Sequence, residues 1–295
     1  MKSRTFTMAV LGCGLVVAGS FAAMAGEIIV TPSNPNGWAE ANARDGGVSI
    51  ISGDQPRSGS GSLDQFLLDN GSGGGNSSKT DYEIFSPDTT YAAGEGFKTT
   101  AGGFGLLSDM SSLLFDWYRD SSSTAANHLT PAMRLWLWDP DAGGPHGTSY
   151  FVIWEGVYND YPVSGGPVPT DTWTTEEEMA DDFFWRIPQF ANGVWQGIGW
   201  CNSNPTQCFD FDNTLVDWGF GANTVVFGIN TGLGSGWAGS YQGYSDNVTI
   251  GFSEPTVWNF ELDQLPSTTL IGLLGIFVLL SAGLWWRVRQ QRLTA

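Results

Sequence analysis

Between Glu27 and Phe252 the apolar residues fall in short runs broken by polar ones, the two-residue period of strands whose faces differ. Leu113, Phe115 and Trp117 share one face while Asp116 and Tyr118 share the other, and Met133, Leu135 and Leu137 oppose Arg134, Trp136 and Trp138. The pattern predicts strands over Glu27–Thr31, Val48–Ser52, Ser62–Leu68, Ser112–Tyr118, Ala132–Trp138, Ser149–Tyr158, Thr172–Glu176, Asp182–Ile187, Asn223–Asn230 and Ser245–Phe252. No amphipathic helical period longer than about two turns precedes Leu265. The expected fold class is therefore all-β, one β-sandwich over residues 26–253.

The two ends depart from this pattern. Leu270 to Trp286 carries no charge, and with Ser267, Thr268 and Thr269 reaches about 20 residues, the length that spans a bilayer core as a helix. Trp285 and Trp286 stand where an interfacial aromatic belt belongs, and Arg287, Arg289 and Arg292 follow, which places the tail on the cytoplasmic side. At the other end Lys2 and Arg4, an apolar stretch from Met8 to Ala22 and Ala23-Met24-Ala25 form an export signal over residues 1–25, with the mature chain starting at Gly26. Residues 254–264 read as a spacer, and 265–295 as a terminal signal with a transmembrane helix over 270–286 and a basic tail.

Leu265, Pro266, Ser267 and Thr268, the apolar helix with Gly272 and Gly275, and the arginines headed by Arg287 and Arg289 resemble the C-terminal PEP-CTERM signals of Gram-negative bacteria. Gln264 and Leu265 stand where that family has its first proline and its glutamate, and Leu265-Pro266 with Gly272 is similar to the related IPTL-CTERM signals. The resemblance implies an inner-membrane-anchored precursor, an exosortase-type processing enzyme as partner, and display at the cell surface or in an extracellular matrix. A second resemblance lies upstream. Leu113–Tyr118, Pro131–Asp139, Phe151–Glu155, Asp171–Trp173 and Ser245–Gly251 are similar to jelly-roll domains of carbohydrate-binding type, which implies a glycan-binding ectodomain.

Charge narrows the partners. The chain has 30 Asp and Glu against 12 Lys and Arg. Five of the basic residues lie in the two terminal signals, so the ectodomain keeps 12 − 5 = 7 of them and a net charge of 7 − 30 = −23. Such a surface repels nucleic acid and anionic lipid, and leaves neutral polysaccharide and divalent cations as compatible partners.

No enzymatic constellation accompanies this. His128 and His146 have no spaced metal-binding partner, and no Gly-x-Ser-x-Gly elbow occurs. The run Glu176-Glu177-Glu178 with Asp181 and Asp182, and the pair Asp210 and Asp212, offer carboxylates but not the ordered pair a glycosidase needs. Asp139 and Asp141, in a turn with Gly143 and Gly144, resemble the start of a Ca²⁺ loop, with Asp246 as a further carboxylate; a structural turn is the competing reading. Cys201 and Cys208 are the two cysteines left after export and form a disulfide. Arg134, Trp136 and Trp138 share the second face of their strand, where stacked indoles beside a donor make a sugar platform unless another layer covers them. The sequence thus predicts a non-enzymatic surface or matrix protein, structural or adhesive, that binds glycan. A sandwich glycosidase and a ligand-free structural protein are the alternatives.

Overall fold

The computed structural model describes residues 26–69, 77–177, 179–234 and 236–264. The strands are β1 (Glu27–Val30), β2 (Ala39–Arg44), β3 (Val48–Ser52), β4 (Ser62–Leu67), β5 (Lys79–Phe85) and β6 (Thr89–Ala92). They continue with β7 (Gly96–Thr99), β8 (Gly105–Leu106), β9 (Ser112–Arg119), β10 (Ala132–Asp139), β11 (Thr148–Trp154) and β12 (Trp173–Glu176). The last are β13 (Trp185–Ala191), β14 (Val194–Trp195), β15 (Val225–Leu233), β16 (Tyr241–Gly251) and β17 (Pro255–Phe260), with one α-helix, α1 (Gly197–Ser203), between β14 and β15. Each of the ten strands expected from the alternation overlaps one of this set, although the one expected over Ser149–Tyr158 stops at Trp154 and the one expected over Asp182–Ile187 starts at Trp185.

Two sheets pack face to face. The first runs β1-β17-β16-β4-β3, with β9 on the free side of β16 and β12 beyond it; the second runs β14-β13-β11-β10-β15-β5-β2, with β8 beside β15. Among the described residues every strand pairing is antiparallel except β1 with β17. Leu113, Phe115 and Trp117 of the first sheet meet Met133, Leu135, Leu137, Val152 and Trp154 of the second in one continuous core. That contact is the reason for the alternation: in these strands every second side chain faces the opposite sheet.

The stretch 254–264 is not a spacer. Pro255–Phe260 is a strand between β1 and β16, with Trp258 and Phe260 in the core. Beyond it Glu261 N donates to Val30 O at 2.8 Å, Ser33 Oγ donates to Asp263 Oδ1 at 2.5 Å, and Gln264 Nε2 donates to Ser60 Oγ at 3.3 Å. Trp258 and Phe260 keep the two-residue period through to the end, and Glu254-Pro255 starts the strand where proline is tolerated.

A third layer lies on the outer face of the second sheet. The β6–β7 hairpin folds back over it and lays Phe97 against Phe85 and Phe227 at centroid distances of 5.9 and 6.0 Å. Trp136, Phe151 and Ile153 are buried beneath. Trp136 lies opposite Gly228 on β15, where a Cβ would come within 2.7 Å of Phe85 and 2.8 Å of Trp136, so only glycine lets the rings close over the strand.

Among the described residues no helix is long and apolar enough to cross a membrane. The expected export signal at 1–25 and the signal at 265–295, with Leu265, Pro266, Ser267, Thr268, Arg287 and Arg289, lie outside the described residues.

Candidate functional site

The expected sugar platform on β10 is not open. Trp136 is 8 % exposed and Arg134 is 3 % exposed, while Trp138 is partly buried and donates its indole N–H to His146 O at 3.2 Å. Arg134 is committed within the protein: its Nη1 reaches Asp81 Oδ1 at 2.5 Å and Asn230 Oδ1 at 2.9 Å. Asp81 in turn pairs with Lys79 at 2.8 Å and accepts from Asn42 Nδ2 at 3.0 Å. Trp136 Nε1 donates to Glu83 Oε2 at 3.2 Å. A hairpin supplies the covering layer, so the second face of β10 is another core rather than a ligand surface.

The carboxylates expected for calcium are engaged as turn acceptors. Asp139 is buried, and its two oxygens accept the Asp141 and Gly221 backbone N–H groups, each at 3.0 Å. Asp141 Oδ2 accepts from Asn223 Nδ2 at 2.8 Å. Oxygens facing N–H donors make a turn, not a cation shell. Asp246 belongs to the other sheet, on β16, where Oδ1 accepts the Asn247 and Phe260 N–H groups at 2.8 Å each. The structure therefore keeps Asp246 apart from Asp139 and Asp141. Among the described residues no group of three or more His, Cys, Asp or Glu could hold a metal ion.

The acidic run is divided between core and surface. Glu176 is buried and accepts from Trp117 Nε1 at 2.7 Å, and Asp182 accepts from Trp154 Nε1 at 2.8 Å; burial raises both carboxyls above their usual range. Glu177 and Asp181 line a depression of about 430 Å³ with Ser111, Ser112, Leu114 and Thr175 that contains neither an aromatic ring nor a cation. Asp210 Oδ1 accepts the Asp212 N–H at 3.4 Å within an exposed turn.

The arrangement with binding chemistry lies at the β13 edge of the second sheet. Arg186 is the register partner of Val152, and Pro188 and Ala191 are those of Tyr150 and Thr148. Val152 points into the inter-sheet core, so Arg186 points to the same side. There the segment from Gln196 to Phe220 covers it. This segment is cross-linked: Cys201 of α1 and Cys208 form a disulfide with Cα atoms 5.6 Å apart, as expected from the sequence. Cys208 O also accepts the Arg186 backbone N–H at 3.1 Å, which fixes the flap on β13.

Between flap and sheet is a cavity of about 310 Å³, lined chiefly by Thr148, Tyr150, Arg186, Gln196, Trp200 and Gln207. Its size is at the lower end of small-ligand sites. The Arg186 guanidinium sits 4.2 Å from the Trp218 ring centre, 5.2 Å from Tyr150 and 5.6 Å from Phe220. Its Nε donates to Gln207 O at 3.0 Å and its Nη1 to Trp218 O at 3.4 Å. Burial lowers the guanidinium below its usual proton affinity and raises the Tyr150 phenol above its own. Amides, a hydroxyl, a phenol and a cation thus converge beside the Trp200 indole, the mixture of ring face and hydrogen-bonding edge that a sugar matches.

The sequence offered only a faint sign of these residues. Arg186 lies one residue before the end of the expected strand Asp182–Ile187 without belonging to an alternating face, and Trp200 stands next to Cys201; what joins them is the flap, which has no periodic pattern. The chain matches no known protein-family model, and it matches no curated protein.

Proposed function

We propose that this chain is an exported protein of structural or adhesive type, displayed at the cell surface or in an extracellular matrix, whose molecular task is glycan binding. Its sandwich is read as a jelly roll of carbohydrate-binding kind. The C-terminal signal holds the precursor in the inner membrane, tail inward, for an exosortase-type enzyme that cuts near Pro266. The observation that carries the binding reading is the cavity at Arg186, where Trp200 supplies a ring face and Thr148, Tyr150, Gln196 and Gln207 supply polar edges under a disulfide-fixed flap. A non-enzymatic role fits the engagement of Glu176 and Asp182 by indole donors away from this cavity.

The test is a glycan array probed with the full chain and with Trp200→Ala. Retention of a defined set of glycans by the wild type, lost in the variant at an unchanged unfolding midpoint, is expected. No retention, or retention indifferent to Trp200, would overturn the reading and leave a ligand-free structural protein.

A further inference from the structure

Resting on that reading, we infer that the Arg186 cavity is built for a carboxylated sugar, with the guanidinium taking the carboxylate and Trp200 the ring. The argument begins with the fate of each basic residue. Seven Lys and Arg lie between the two terminal signals, against 30 Asp and Glu. Arg57, Lys79, Lys98 and Arg134 each reach a carboxylate. Arg44 is an exposed residue whose Nε donates to Ser77 O. Arg119 is buried without a carboxylate, but both its Nη atoms are used, donating to the carbonyls of Ala125, Ala126 and Leu129.

Arg186 is different. Of the five N–H donors of a guanidinium, two are used, by Gln207 O and Trp218 O, so 5 − 2 = 3 remain. No described carboxylate forms an ion pair with it. Arg186 is half-buried, and a cation that gives up part of its hydration without a counter-charge is less favoured than a paired one; in a chain this rich in acids a partner was easy to supply. None of the residues lining the cavity is Asp or Glu. The three rings around the guanidinium stabilise the cation without consuming its in-plane donors. What is left matches the planar two-oxygen edge of a carboxylate, which arginine binds bidentately.

The surrounding charge adds a restriction. A polyuronate lying along a domain of net charge −23 would be repelled at every residue, whereas a single terminal carboxylate entering an acid-free cavity meets only Arg186. The ligand expected is an oligosaccharide with one acidic residue at its end.

The experiment compares calorimetric titration of the full chain with glucuronic-acid-terminated oligosaccharides and with their carboxyl-reduced, glucose-terminated counterparts. The wild type is expected to prefer the acid form by at least tenfold. Arg186→Gln is expected to bring the ratio near one, and Arg186→Lys, which keeps the charge but not the fork, to leave it in between. Equal affinity of the wild type for both forms, or preference for the neutral one, overturns the inference while leaving glycan binding standing; this wild-type ratio decides without any variant. An undiminished preference in Arg186→Gln overturns it as well. Binding of neither form, with an empty glycan array, removes the glycan reading itself.

Discussion

Replacing Asp246 with asparagine is expected to stabilise the protein at alkaline pH and to flatten its stability profile. Asp246 is fully buried in the first sheet, at a bulge where the β16–β9 register shifts and Asn247 takes a positive φ. Burial, with further repulsion from Glu261 and Asp116, pushes its carboxyl from 3.8 up to about 8, although two backbone N–H groups donate to Oδ1. No described cation forms an ion pair with this group: Arg57, next to the Ser58 whose hydroxyl donates to Asp246 Oδ2 at 3.5 Å, is spent on Asp116 at 3.1 Å. Asp116 also accepts from Asn247 Nδ2 at 2.7 Å and from the Thr175 hydroxyl, while Glu261 Oε2 accepts from Ser60 and Gly61. The folded carboxyl holds its proton to about pH 8 and the unfolded one releases it near 3.8, so between these values the folded state binds more protons and stability falls as pH rises. Each pH unit in that window costs about 1.4 kcal/mol, so moving from pH 5 to pH 9 removes at most about 4 kcal/mol through this one group. That is a large part of the roughly 5–15 kcal/mol by which domains are stable. Asparagine keeps the acceptor for Asn247 and Phe260 and carries no charge. Urea unfolding of the full chain, followed by tryptophan fluorescence from pH 5 to pH 9, is expected to show the variant gaining on the wild type by about 1–4 kcal/mol across the range. Parallel curves, within about 0.5 kcal/mol, would refute the claim that a protonated Asp246 supports the fold.

Three further outcomes are expected. Trp136→Ala should lower stability by about 3–5 kcal/mol in chemical denaturation, because the indole is enclosed by Phe85, Phe97, Phe151 and Phe227, and should not change which glycans are retained. Replacing Cys201 and Cys208 together by serine should cost roughly 2–3 kcal/mol of stability yet abolish glycan retention, since the flap carries Trp200 and Gln207; retention at full affinity would argue against the cavity as the site. Intact-mass measurement of surface-displayed protein should find the chain ending near Pro266, and a mass that still includes Ala295 would show that the signal acts as a permanent anchor.

The sandwich was legible because its strands obey one rule. Leu113, Phe115 and Trp117, and Met133, Leu135 and Leu137, alternate cleanly since each sheet buries one face against the other. The rule fails where a strand is buried on both faces. β10 shows it: Trp136 and Trp138 read as exposed because a two-layer sandwich leaves that side to water, and the third layer comes from a hairpin far away in sequence. Tyr91 and Phe97 flanking Gly94-Glu95-Gly96 were its local trace. β5 was missed for a related reason, as Lys79, Asp81 and Glu83 look like a solvated segment until Arg134 and Asn230 are placed beside them. The cavity was less legible still. Its walls come from β11, β13 and the flap, and only the Cys201–Cys208 pair announced that the flap was fixed.

The end of the sandwich bears on the tail that follows. β17 is a strand enclosed between β1 and β16, and Asp263 and Gln264 are tied back to Ser33 and Ser60, so nothing of the expected spacer is left as free linker. With the tail read as a membrane helix over 270–286, the five residues 265–269, even fully extended, would separate the fold from it by only about 17 Å. Two effects then compete. Repulsion between a domain of net charge −23 and acidic lipid is damped over a Debye length of about 8 Å at physiological salt, so at this distance it is already weak. Excluded volume is not screened: on that reading a rigid body on a five-residue tether would not turn freely above the bilayer, and a cavity on the sheet opposite β17 would gain access to long glycans chiefly once the tether is cut. On the proposed reading, short-range geometry, more than charge, would therefore make cleavage near Pro266 matter for binding.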